Sequence, residues 1–288
     1  MSYVFIKACR GEEVPYTPIW LMRQAGRYME EYREVRSRYD FMTLCKTPEL
    51  AAKVSLQPVK ALDVDAAIVF SDILVVIEAM GCEIDFPQQG GPVINNPIRS
   101  KWAVEGLKTP NIEDALDYVL KTIRILKNEL ESRLPVIGFS GAPFTLATYM
   151  IEGGASKNFV HTKSMMYNDP LLFSSIMGKL TKMISLYLEA QIDAGVHAVQ
   201  LFDTWAGVLS PCDYEEYALP YVKEIVNSLK EKDTPIIYFV NGCCGLLKQI
   251  KEVGADVISI DWKIKLSDAI EAVGYDRVFQ GNLDPCLL

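Results

Sequence analysis

The sequence predicts a single α/β domain of the (β/α)8 barrel type, and three observations predict it. Short apolar runs recur along the chain, at about 18–22, 66–70, 135–139, 198–202, 235–240, 257–261 and 278–281. Longer amphipathic segments separate them, the alternation expected of βα units around a parallel sheet. Polar residues follow the runs directly, as at Phe70-Ser71-Asp72 and Phe202-Asp203-Thr204. In a barrel these positions face one mouth, where sites are built.

The first run, Pro18 to Met22, leads into Arg23-Gln24-Ala25-Gly26-Arg27, with Arg36 beyond. Gly26 permits a sharp turn, so the arginines are expected at a strand exit. Thr47-Pro48-Glu49 supplies a cap residue and a first-turn proline for a helix through about Lys60. After the second run, Gly90-Gly91-Pro92 and Asn95-Asn96-Pro97 are turn signals that predict a hairpin excursion over 81–99. Ile112, Leu116, Val119, Ile123, Leu126 and Leu130 share one face of a helix expected over about 112–132. A longer helix is expected from Pro170 to Ala194, and another beginning at Asp213.

Seven strands are thus visible. After the seventh, Asp284-Pro285 reads as a helix start at the very end of the sequence. Residues 1–288 are therefore expected to form one barrel domain that lacks its eighth strand and is incomplete at the C-terminus.

Half of the 288 residues are hydrophobic and 23% are charged, ample for a large core. A net charge of −8 argues against nucleic acid or an anionic membrane as the general partner, so an anionic ligand needs a local positive pocket. Seven cysteines, an odd number scattered without metal-like spacing except for Cys243-Cys244, suit a reducing compartment, and a cytoplasmic location is expected. The N-terminus lacks a signal-peptide pattern, and no uninterrupted apolar run reaches the ~18 residues of a membrane span.

Arginine forks at a strand exit can hold carboxylates or phosphates; the bland alternative is a surface cluster paired with Glu30, Glu31 and Glu34. Asp72 is a carboxylate between two apolar runs, either a cap or internal arginine partner, or an acceptor for ligand donors or counter-charge to a cation formed in a reaction. Tyr149 could donate to a ligand or simply pack, and Thr204 could bind a ligand or close a turn. His161 and His197 follow no strand and are expected to be structural, while Asp261 and Asn282 could line the mouth or cap. Neither Gly138-Phe139-Ser140-Gly141 nor Gly242-Cys243-Cys244-Gly245 has the spacing of a nucleotide-binding loop.

With these residues in view, the chain resembles the uroporphyrinogen decarboxylases. The resemblance is carried by Trp20 to Arg36, Phe70-Ser71-Asp72-Ile73-Leu74-Val75-Val76, Gly138 to Gly154 and Gln280-Gly281-Asn282-Leu283-Asp284-Pro285-Cys286. It implies removal of four acetate carboxyl groups from a tetrapyrrole, with no metal or organic cofactor, by a cytoplasmic homodimer. It implies that Arg23, Arg27 and Arg36 bind substrate carboxylates, with Arg23 a proton donor. It also implies that Asp72 accepts from pyrrole N–H groups, that Tyr149 lies near the reacting acetate, and that Thr204 supplies a hydroxyl. The family's Asn-Leu-Gly-His-Gly segment, which carries a histidine, does not occur here.

Two other readings compete. Corrinoid-dependent methyltransferases of similar fold bind zinc through His-x-Cys, but Gly242 stands where that histidine would be, two residues before Cys244. A non-catalytic tetrapyrrole-binding protein, or an inactive fragment, would share the arginine cluster without the chemistry.

Overall fold

The central strands form because their residues are buried on both faces, as in a helix-covered parallel sheet. In the computed structural model, which describes residues 3–87 and 90–287, six strands lie parallel. They are β1 (Ala67–Ile68), β4 (Val136–Gly141), β5 (Ala198–Asp203), β6 (Ile236–Val240), β7 (Val257–Ser259) and β8 (Val278–Gln280), in that spatial order. The expected hairpin excursion is present as the antiparallel pair β2 (Ile84–Asp85) and β3 (Val93–Ile94).

Helices cover the sheet. In chain order they are α1 (Val4–Cys9), α2 (Glu30–Arg38), α3 (Phe41–Lys46), α4 (Pro48–Leu62), α5 (Val75–Ala79), α6 (Lys101–Glu105), α7 (Ile112–Ala115) and α8 (Asp117–Leu130). Then come α9 (Pro143–Glu152), α10 (Val160–Asn168), α11 (Pro170–Ala194), α12 (Pro211–Tyr217), α13 (Leu219–Leu229), α14 (Leu247–Glu252) and α15 (Leu266–Val273). By length and composition α11 could cross a membrane, but half of that stretch is buried, and it packs on β4, α8, α9 and α13 as a core helix.

Side chains show that the sheet curls. Gln200 of β5 and Gln280 of β8 are separated in the sheet by β6 and β7, which in a flat sheet would set them ~14 Å apart. Yet Gln280 Nε2 donates to Gln200 Oε1 at 3.1 Å and to Ser259 Oγ at 2.9 Å. The strands therefore bend around a shared interior, as in a barrel.

The expected strand at 18–22 is absent. Ile19 N donates to Asp65 Oδ2 at 2.7 Å and Ile19 O accepts from Asp65 N at 2.8 Å, just ahead of β1. There the ladder stops, because the side-chain amide of Gln24 takes its place: Nε2 donates to Ala66 O at 3.2 Å and Oε1 accepts from Leu21 N at 3.2 Å. On the other side Trp20 Nε1 donates to Gln280 Oε1 at 2.9 Å, so this segment bridges from β1 to β8 through side chains.

Two helix expectations also change. The 112–132 helix breaks at Leu116, whose backbone leaves the helical region (φ −121°, ψ 22°), giving α7 and α8. The helix expected from Asp213 starts at Pro211, because Ser210 caps it by accepting from Asp213 N at 3.1 Å.

Candidate functional site

The site grows from the C-terminal ends of β1, β4 and β5. Asp72 follows β1 at the entry to α5, where its Oδ1 accepts from Leu74 N at 2.8 Å; its Oδ2 has no protein donor among the described residues. One oxygen thus closes the turn, as the cap reading expects, and the other has no partner among the described residues. The side chain is partly buried, and that burial raises its pKa to about 6 against the opposing pull of the Leu74 N–H and the Arg23 guanidinium.

Arg23 and Arg27 are exposed and Arg36 half-buried, and none forms an ion pair among the described residues. The surface-cluster reading fails for this reason, since Glu34 is taken by Arg38 at 2.7 Å. Arg23 differs from the other two in that its charge acts on both Asp72 and the Tyr149 hydroxyl. Arg27 and Arg36 gather instead around the buried Tyr32, with Arg36 Nη1 donating to Tyr39 O at 2.6 Å. Tyr32 and Val35 of α2 seat that helix on Leu44 and Val54 in a small core of their own.

Tyr149 lies on α9, which follows β4 directly and opens on the first-turn Pro143. Burial and the nearby Asp72 charge raise its pKa, opposed by Trp205 and Arg23. Thr204 is half-buried after β5 and makes no side-chain hydrogen bond among the described residues. Arg23, Asp72 and Tyr149 are therefore brought together, Thr204 sits beside Trp205, and Arg27 and Arg36 form a flanking positive group.

Asp203, at the end of β5, falls outside the roles expected above. Its side chain is fully buried; Oδ1 accepts from Thr145 Oγ1 at 2.7 Å and Oδ2 from Tyr238 OH at 2.7 Å, while Tyr238 OH pairs with Tyr214 OH at 2.9 Å. Burial raises the Asp203 pKa to about 6, against these donors. Its partners lie on α9 and β6, far along the chain, so no local pattern singles it out.

Asp261 is a structural partner, accepting from Gly242 N and, at 2.9 Å, from Lys263 N. Asn282 Nδ2 donates to Ile264 O at 2.5 Å. His197 Nδ1 accepts from Val136 N at 3.0 Å at the other end of the sheet, consistent with the structural role expected of it. The concavity there, lined by Tyr3, Lys127, Glu131 and His197, is remote from Asp72 and Tyr149. All seven cysteines are free; Cys243 is buried, while Cys244 donates to Lys263 O. No metal-ligating group of three or more occurs among the described residues.

The profile of the family described as Uroporphyrinogen decarboxylase (URO-D) matches residues 3–288. A protein named uroporphyrinogen decarboxylase from Carboxydothermus hydrogenoformans is 51% identical over 288 residues, 100% of this chain and 82% of that one. One of the same name from Thermodesulfovibrio yellowstonii is 53% identical over 288 residues, 100% of this chain and 83% of that one. Among solved structures, a methyltransferase from Methanosarcina mazei superposes with a TM-score of 0.81 at 20% identity, covering 98% of this chain and 83% of that one. That likeness speaks to the barrel fold alone.

Proposed function

The chain belongs to the uroporphyrinogen decarboxylase family, and we propose that it removes the four acetate carboxyl groups of uroporphyrinogen, giving coproporphyrinogen without a cofactor. The observation that carries the reading is a partly buried carboxylate, Asp72, with one oxygen free, set beside arginines that have no acidic partner among the described residues. Breaking the bond to CO2 leaves an electron pair on the acetate methylene carbon. A pyrrole first protonated on carbon accepts that pair and becomes neutral again. A second proton converts the methylene to methyl, and loss of the ring proton restores the pyrrole.

The protonated ring is a cation, and Asp72 stands where a preorganised negative charge would stabilise it and accept pyrrole N–H groups. Arg23 binds the reacting carboxylate, and Tyr149 donates to it from the facing helix. Arg27 and Arg36 take carboxylates of neighbouring arms, and Thr204 offers a hydroxyl at the rim. Arginine holds its proton tightly, so Arg23 serves better as carboxylate clamp than as acid. We assign the enzyme to the cytoplasm and to a homodimer, in keeping with its free thiols and with the family resemblance.

Anaerobic incubation with uroporphyrinogen in the presence of EDTA tests the reading. CO2 release with accumulation of coproporphyrinogen is expected. Tight binding without CO2 would instead establish a tetrapyrrole-binding protein, and sedimentation equilibrium checks the dimer.

A further inference from the structure

The loop after β5 carries a hydrogen-bond donor that the chemistry above leaves unused. The indole Nε1 of Trp205 is buried and has no partner of normal hydrogen-bonding geometry among the described residues. An unpaired buried N–H is costly, so one facing a site calls for a partner. Its ring lies 6.0 Å from that of Tyr149, tilted by 58°, and 5.3 Å from that of Phe159. The indole faces the Tyr149 hydroxyl closely enough to oppose the upward shift that burial imposes on it.

Trp205 is also held from behind. Its backbone N donates to Thr145 Oγ1 at 3.1 Å, and the same hydroxyl donates to the buried Asp203 at 2.7 Å. Thr145 lies one turn before Tyr149 on α9, so one threonine fixes both the tryptophan and the helix that presents the tyrosine.

We propose that Trp205 is a positioning residue for Tyr149, its indole N–H donating to the phenol oxygen and thereby turning the phenol's own proton into the mouth. A phenol has one proton and a freely rotating O–H bond. A donor fixed on the oxygen's inner side leaves the proton only outward directions, toward a substrate carboxylate. The inference rests on the decarboxylase reading for its consequence, but not for the contact itself.

The experiment has two arms. In the first, Trp205→Phe keeps an aromatic ring and loses the donor, while Trp205→His keeps a ring N–H. Trp205→Phe should lower kcat ~10-fold with KM within ~2-fold, about one hydrogen bond's worth. Trp205→His should recover part of the loss, and Trp205→Phe/Tyr149→Phe should be no slower than Tyr149→Phe alone. Multiplied rather than shared losses in the double variant would overturn the proposal.

The second arm needs no activity. The chain has four tryptophans, so its indole 1H–15N resonances are few, and that of Trp205 is identified by its loss in either Trp205 variant. In Tyr149→Phe this resonance should shift and its proton exchange faster with solvent. An unmoved resonance would show that the phenol is not the partner, even in a fully active enzyme. If wild-type protein forms no coproporphyrinogen but the resonance moves, the decarboxylase reading fails and the contact stands.

Discussion

At the scale of single residues, Asp72 carries opposed demands. The role proposed for it asks for the ionised form, while its burial favours the protonated one and brings its pKa to about 6. Asp72→Asn keeps an acceptor for Leu74 N and removes the charge, and is expected to cost at least ~100-fold in kcat, measured by coproporphyrinogen formation. The wild-type enzyme should lose kcat/KM as pH falls through about 6, and Asp203→Asn should retain that acid limb although burial raises Asp203 to about 6 as well. The stability effect has the opposite sign. A carboxyl with a folded pKa above its unfolded value contributes stability below the unfolded pKa, which is lost as pH rises through the folded one. Asp72→Asn should therefore raise the unfolding free energy at pH 8, by up to about 3 kcal/mol, and not at pH 3, measured by urea denaturation. Asp72 could be found from sequence because it interrupts two apolar runs. Asp203 and Trp205 could not, since their importance lies in partners on α9 and β6 far along the chain.

At the scale of elements, the strands buried on both faces were legible as continuous apolar runs. The segment before Arg23 looks the same in sequence, but whether it forms a strand depended on competition for Ala66 O, which the Gln24 amide wins. The break between α7 and α8 was hidden because Leu116 stays buried, so the hydrophobic spacing runs through unaltered. The loops after β5 and β6 meet backbone to backbone: a Cβ on Gly207 would lie 2.0 Å from Asn241 O and 2.9 Å from Gly242 Cα. Neither obstacle is a side chain that can swing away. Gly207→Ala should cost about 3 kcal/mol or more in urea denaturation and should raise KM by displacing Thr204 and Trp205. Gly242 has φ +78°, so Gly242→Ala should carry a smaller penalty, ~1–2 kcal/mol, from backbone strain.

At the scale of the molecule, a protein of net charge −8 receives a polyanion. In the proposed site, binding depends on arginines without acidic partners among the described residues prevailing locally over a repulsive whole. Salt screens the approach over a Debye length of ~10 Å at 0.1 M, but screens buried contacts far less. KM for uroporphyrinogen should therefore rise between ~0.1 and ~1 M salt with little change in kcat, and Arg27→Gln should flatten the dependence. The fold class was legible because the βα alternation spans the chain, whereas the curl of the sheet was not, resting on pairs such as Gln200 and Gln280 that no local pattern announces.

The Gln24 tether has a consequence for the protein's lifetime. The segment bearing Arg23 and Arg27 is joined to β1 by a few hydrogen bonds, mostly through side chains, so an idle molecule should release it more readily than any sheet strand. Bound tetrapyrrole would pin the same segment through its arginines, adding ~2.7 kcal/mol at a hundred times Kd. Limited trypsin digestion should cut first at Arg23 or Arg27 in the empty protein, and ligand should delay those cuts selectively. Supply of substrate would then set how long each molecule survives in the cell, as well as how fast it works.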